Sequence, residues 1–175
     1  PRKVKTAADA RKIVNERKLD YVKVGVFDVD GIMRGKYMSK AKFFSALDGG
    51  FGFCDVVLGW DSKDQLYDNV KYTGWHTGYP DAPVRILPES CREIPWEDGM
   101  LIFLGEFTDR AEEICPRGIL RSVLKKADKM GFKVFSGLEY EFFVFEETPH
   151  SVREKNFRDL KPLAPDFFGY SVIRN

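Results

Sequence analysis

The apolar positions of this chain change period several times, and each change predicts a new element. Ala10, Ile13 and Val14 recur at i, i+3 and i+4 behind Thr6, with Asp9 three residues after Thr6. That spacing predicts a short amphipathic helix capped by Thr6. Tyr21 to Val29 then alternates and is rich in β-branched residues, which predicts a strand. Asp30-Gly31 is a hairpin-turn signal, with a type I′ turn the simplest reading, and Ile32 to Ser39 returns as a second strand. Lys40 to Leu47 is helical in pattern, and Gly49-Gly50 ends it.

From Phe51 to Glu89 no period persists. Glycines and prolines predict a long loop region, and Trp60, Tyr67, Tyr72, Trp75 and Tyr79 within it favour an ordered, functional one. Met100 to Phe107 predicts a buried strand. Ile119, Leu120, Val123, Leu124, Ala127 and Met130 make one apolar stripe of a helix, with Pro116 in its first turn and Gly131 just past its end. Lys133 to Glu147 predicts another strong strand, and beyond Glu147 the polar, proline-bearing sequence predicts little regular structure. The fold class is therefore α+β. A seam falls between Phe107 and Pro116, because the helix and strand that follow cannot bury their own apolar faces and read as the opening of a larger domain.

The overall charge of +1 excludes a dedicated nucleic-acid binder, although the first 20 residues carry a local +4 that reads as a solvated helix face. The 15 Phe, 7 Tyr and 3 Trp supply ample apolar surface for a core. No apolar run approaches the ~20 residues of a membrane span. No apolar stretch follows the charged start, and Cys54, Cys91 and Cys115 are too scattered for a disulfide framework or a zinc site. A cytoplasmic setting is the resulting expectation.

Two acidic pairs carry candidate chemistry. In Gly137-Leu-Glu-Tyr-Glu-Phe-Phe-Val-Phe145, Glu139 and Glu141 share one strand face, roughly 7 Å apart. Both faces are otherwise apolar, so two like charges there need neutralising. Divalent cations with a taste for carboxylate oxygen would do so, and so would a sheet edge or basic partners. The second pair, Asp28 and Asp30, ends an apolar strand as Asp-x-Asp-Gly. That is the nucleophile pattern of haloacid-dehalogenase-like phosphatases, but a strand follows it at once where a loop and helix are needed.

The Gly137–Phe145 segment resembles the Gly-x-Glu-x-Glu-Phe-x-x-Phe segment of the glutamine synthetase family. Other pieces agree in order: Ile32-Met-Arg-Gly-Lys-Tyr37, Phe51-Gly-Phe-Cys-Asp55 to Asp61, Gly78-Tyr-Pro-Asp-Ala82, Ile86-Leu-Pro-Glu89, Pro95-Trp96, Leu101-Ile-Phe103 and Cys115-Pro-Arg117. The resemblance spans Asp20 to Glu147. It implies a β-grasp N-terminal domain over 1–108, followed over 109–175 by the first helix and strand of a glutamine-synthetase-type catalytic domain.

Functionally it implies a ligase that phosphorylates the side-chain carboxylate of glutamate with ATP and lets ammonia or an amine displace the phosphate. Glu139 and Glu141 would each ligate an active-site Mg²⁺ or Mn²⁺. Asp55 would bind and deprotonate ammonium, with Asp61 and Asp81 in reserve; Trp60 and Trp75 either line this loop or simply pack it. The loop departs from the family's Asp-Gly-Ser-Ser pattern, which opens the nitrogen donor to polyamines and other amines, and leaves a non-catalytic binding or structural relative as the alternative. The resemblance further implies that the chain is a fragment, silent alone, of a ring-shaped, dodecamer-like homo-oligomer without nucleic-acid or membrane partners.

Overall fold

Thr6 begins the order. Its hydroxyl accepts the Asp9 N–H at 3.1 Å, while the Asp9 carboxylate accepts the Thr6 N–H at 3.0 Å. This reciprocal cap starts helix α1, Ala7–Glu16, which buries Ala10 and Val14. The protein is described here by a computed structural model covering residues 1–164. Strands β1 (Tyr21–Phe27) and β2 (Met33–Ser39) pair antiparallel with Gly25 opposite Gly35. Helix α2, Lys40–Gly49, is capped by Ser39 and stopped by Gly50, whose φ of 70° only glycine adopts cheaply.

The turn after β1 differs from the type I′ expectation. That type needs positive φ at both central residues, and here only Gly31 has it, at 80°. The Asp28 N–H donates to the Ile32 carbonyl at 3.0 Å, so the connection is a wider loop ending on a left-handed glycine.

The expected loop over 51–89 is also corrected at both ends. Phe51–Cys54 forms β3, and Asp81–Glu93 forms the long β4, antiparallel to it with Gly52 opposite Pro83. Prolines misled the reading because a proline is tolerated where no ladder N–H is needed. Pro83 contributes through its carbonyl, which accepts the Thr108 N–H at 2.9 Å, and Pro88 sits in the irregularity between Leu87 and Arg92. Strand β5, Leu101–Phe107, completes a mixed five-stranded sheet of order β2-β1-β5-β4-β3, with β1 and β5 parallel at its centre. Val22, Val24 and Val26 of β1 are buried, and Phe43 of α2 lies 4.6 Å, ring to ring, from Phe103 of β5. Burying such side chains supplies about 1.5–3 kcal/mol each.

Helix α3, Pro116–Lys129, follows a 3₁₀ turn at Asp109–Glu113. It is tied to β5 through Glu106, a buried carboxylate that accepts from Arg85, Arg117 and Arg121. Gly118 is required there, since a Cβ would meet the Glu112 carbonyl oxygen at 2.0 Å. The predicted stripe of α3 is present but exposed at Ile119, Leu120, Val123 and Leu124.

The chain divides into two compact units, Pro1–Val134 and a second beginning at Phe135. The strand expected over Lys133–Glu147 is not formed. A ribbon apolar on both faces is a central strand, and its hydrogen bonds must come from strands on either side. Among the described residues pairing reaches its C-terminal end, where Phe145 bridges Pro162 and the Val144 carbonyl accepts the Leu163 N–H at 3.1 Å, while Leu138, Tyr140 and Phe142 stay exposed. Beyond it, the expectation of little regular structure misses α4, Pro149–Glu154, capped by Thr148 and Ser151. Pro165 and the remainder of the 109–175 segment lie outside the described residues.

Candidate functional site

Asp55 opens a 3₁₀ turn, Asp55–Leu58, directly after β3. The end of β3 and the start of β4 bring the backbone of Pro80 beside it, and the Asp55 N–H donates to the Pro80 carbonyl at 3.0 Å. The side chain is 3% exposed. Its Oδ1 accepts the hydroxyl of Thr73, itself fully buried, at 2.5 Å. Burial pushes the Asp55 carboxyl above the usual aspartate range. The Thr73 hydrogen bond opposes that rise and the nearby charge of Asp81 adds to it. Asp55 in turn pushes up the Tyr72 phenol, which burial has already raised, while the Arg110 guanidinium lies 5.7 Å from the Tyr72 ring centre. A buried carboxyl with one hydroxyl partner and a raised affinity for protons is suited to accepting a proton from a cationic acid.

The two reserves behave differently. Asp81 starts β4 opposite Cys54, close enough to act on Asp55. Asp61 is spent on its own turn, where Oδ1 accepts the N–H groups of Lys63 and Gln65 at 2.8 and 2.9 Å and its pKa falls for that reason. Trp75 is exposed and Trp60 is half-buried, with the Arg34 guanidinium 4.9 Å from the Trp60 ring centre.

Asp28 is a hairpin strut. It is fully buried; Oδ1 accepts from the N–H groups of Asp30 and Ile32 at 3.0 and 2.8 Å, and Oδ2 accepts from Arg34 Nε at 2.7 Å. Arg34 also reaches Asp64 at 2.6 Å, pinning the 59–67 loop to β2. A carboxylate so saturated, followed by a strand rather than a loop and helix, lacks the setting of a phosphatase nucleophile.

Glu139 and Glu141 lie exposed in the irregular segment, and neither makes an ion pair among the described residues. Their donor chemistry suits a hard divalent cation. Two carboxylates do not complete a metal site, and no group of three His, Cys, Asp or Glu able to hold a metal occurs among the described residues. Downstream, the Glu147 carboxyl is pulled down to about 2 by Lys155, the Ser151 hydroxyl and the Lys161 N–H, which ties the start of α4 to the chain beyond it.

Sequence reasoning missed Thr73, Arg34 and Glu106. Thr73 and Arg34 act on acids 18 and 6 residues away, and Glu106 gathers arginines 21, 11 and 15 residues away. For Arg34 a signal existed: a cation placed within hairpin reach of Asp28. A groove of about 520 Å³ on β1 and β2, lined by Lys23, Tyr37, Ile94 and Trp96, was likewise unforeseen. Among the described residues, no helix is long and apolar enough to cross a membrane.

Known proteins resemble this chain along most of its length. A family profile described as the glutamine synthetase catalytic domain matches residues 113–167. The chain is 45% identical over 168 residues to type-1 glutamine synthetase 2 of Dictyostelium discoideum, a match covering 93% of this chain and 32% of that protein. It is 27% identical over 172 residues to the glutamate–isopropylamine ligase of a Pseudomonas species, covering 94% and 37%. It is 29% identical over 160 residues to a gamma-glutamylethanolamide synthetase of Streptomyces coelicolor, covering 89% and 34%. The chain thus spans about a third of the length of these curated relatives. Among solved structures, a GmaS chain in complex with ADP matches with a TM-score of 0.52 at 18% identity, over 69% of this chain and 26% of that one. Plasmodium falciparum glutamine synthetase, seen by cryo-EM, matches with 0.51 at 15% identity, over 72% and 23%. At such identities these likenesses concern the fold.

Proposed function

The chain belongs to the glutamine synthetase family, and on that premise we propose that it is part of a longer, ATP-dependent ligase joining the side-chain carboxylate of glutamate to ammonia or an amine. Residues 1–108 are the β-grasp domain in this reading, and 109–175 begin the catalytic domain. The strand order β2-β1-β5-β4-β3 with its central parallel pair supports the first assignment. The exposed apolar stripe of α3, a surface still to be covered, supports the second.

The single observation that carries the chemistry is the buried Asp55 carboxyl between β3 and β4, whose affinity for protons burial raises. Glutamate is activated as its γ-glutamyl phosphate. Asp55 attracts the protonated nitrogen donor, accepts one proton from it, and leaves a neutral amine to attack the activated carbonyl as phosphate departs. Glu139 and Glu141 would hold Mg²⁺ or Mn²⁺, ions whose chemistry is to offset charge on the transferred phosphoryl group. The parent protein assembles as a ring homo-oligomer and works in the cytoplasm.

One observation favours a second reading, a non-catalytic relative: Glu139 and Glu141 have no third metal-binding partner among the described residues. The same experiment separates the two. In the parent protein, Glu141→Ala should abolish ATP-dependent hydroxamate formation from glutamate and hydroxylamine. Activity retained by the variant overturns the ligand assignment, and a wild-type parent without activity favours the second reading.

A further inference from the structure

Two stretches of the chain are candidate joints, 107–116 and 131–134, and they are built in opposite ways. The first is packed. Ala111 and Cys115 are buried in the same apolar core as Val22 of β1 and Phe103 of β5. The Thr108 N–H donates to the Pro83 carbonyl at 2.9 Å, the Cys115 N–H to the Ala111 carbonyl at 3.0 Å, and the Ile119 N–H to the Cys115 carbonyl at 3.0 Å. Backbone bonding therefore runs from β4 through the 3₁₀ turn into α3. Side chains close the same stretch. Glu106, in β5, is 4% exposed; one of its oxygens accepts from Arg117 Nε at 2.9 Å, and the other accepts from Arg85 Nη2 at 3.1 Å and from Arg121. Arg121 also donates to Glu112 at 2.7 Å. One buried carboxylate thus ties β4, β5 and the first two turns of α3 together, and taking a partner from such a group is costly.

The second stretch is open. Helix α3 ends in a Schellman motif coded by its own last turn: the Phe132 N–H donates to the Ala127 carbonyl at 3.0 Å and the Gly131 N–H to the Asp128 carbonyl at 2.9 Å, with φ of 84° at Gly131. A Cβ on Gly131 would meet nothing within 4 Å, and Phe132, Val134 and Phe135 are exposed. The first compact unit ends at Val134, so it includes α3. Few buried contacts and locally closed hydrogen bonds mark a place where one cooperative unit stops.

We propose that Glu106 clamps α3 into the cooperative fold of the N-terminal unit, and that the conformational joint of this chain lies at 131–134, after the helix. Residues 109–130 then open the catalytic domain in sequence but take their position from the β-sheet. The proposal goes beyond the ligase reading and does not depend on it. Under that reading the joint separates, along the chain, Asp55 from Glu139 and Glu141, so the proton-accepting acid and the metal-holding acids belong to different folding units.

Amide hydrogen exchange of the 175-residue chain tests the joint and the clamp, and needs no activity. Amides of 119–126 should exchange in the same slow class as those of β1 and β5, and about a hundredfold or more slower than those of 133–143. Fast exchange in α3 beside a protected sheet overturns the shared unit, and slow exchange over 133–143 overturns the joint. Arg117→Gln isolates the clamp, because it removes one arginine and leaves Arg85 and Arg121 on Glu106. It should speed exchange over 119–126 by about tenfold or more while β1 stays protected, and Arg117→Lys, which still donates, should restore most of the protection. Protection of α3 that Arg117→Gln leaves unchanged overturns the clamp.

Discussion

Two places in this chain set carboxylates at i and i+2 on an apolar ribbon, and they meet opposite fates. Asp28, at the end of β1, is fully buried and accepts three hydrogen bonds. Glu139 and Glu141, on a longer apolar ribbon, are exposed and make no ion pair among the described residues. The difference lies in where the donors come from. Asp28 draws two from its own turn and the third from Arg34, within the same hairpin. Nothing within a few residues of Glu139 or Glu141 offers the same, so in this chain their charges are left to solvent. An acidic pair is thus local architecture when its donors are local, and a candidate site when they are not.

The largest effect that breaks this contrast is expected at Asp28. Asp28→Ala should lower stability by about 3–5 kcal/mol in urea unfolding, because it strands two turn N–H groups and leaves Arg34 with a buried head and only Asp64 to answer it. Asp28→Asn keeps an acceptor and should cost less. A loss below about 1 kcal/mol for Asp28→Ala would mean that the local donors do not hold the hairpin.

The same distinction explains what the sequence could reveal. Helices α1, α2 and α3, the β1–β2 hairpin and β5 were legible because caps, turns and periodicity are local codes. Strands β3 and β4 were not, since their pairing is long-range and Pro83 and Pro88 argue against a strand until the neighbouring ladder shows that no N–H is needed there. The ribbon over 133–147 failed in the other direction: its pattern presupposes neighbouring strands, and a pattern alone cannot provide them. In the candidate site, Asp55 was named through the family resemblance, by its place in the Phe51–Asp61 segment. Thr73, which fixes its carboxylate, did not, because a threonine 18 residues away carries no mark of the acid it will meet.

Asp55 lies between the two extremes, buried but with a single side-chain donor, and pH sharpens its position. Its folded-state pKa is raised by burial above that of the unfolded chain, so the folded state binds more protons once pH climbs past about 4. Its contribution to stability is present in full below that pH and is lost as pH rises through the folded-state value. Asp55→Asn removes this titration. Measured by urea unfolding, the stability of wild type relative to Asp55→Asn should therefore fall between acid and neutral pH and then level off. A difference that stays constant with pH would show that the carboxyl is not held above its ordinary range.

The smallest effect is the most discriminating. Replacing both Glu139 and Glu141 with Gln in the 175-residue chain should change urea stability by less than about 0.5 kcal/mol, since exposed side chains without ion pairs contribute little to folding. A larger loss would mean that these carboxylates already support the fold, and the contrast with Asp28 would collapse. A small change makes the pair free of structural duty. The two acids are then available to the cation proposed for them, whose preference for oxygen donors they would meet.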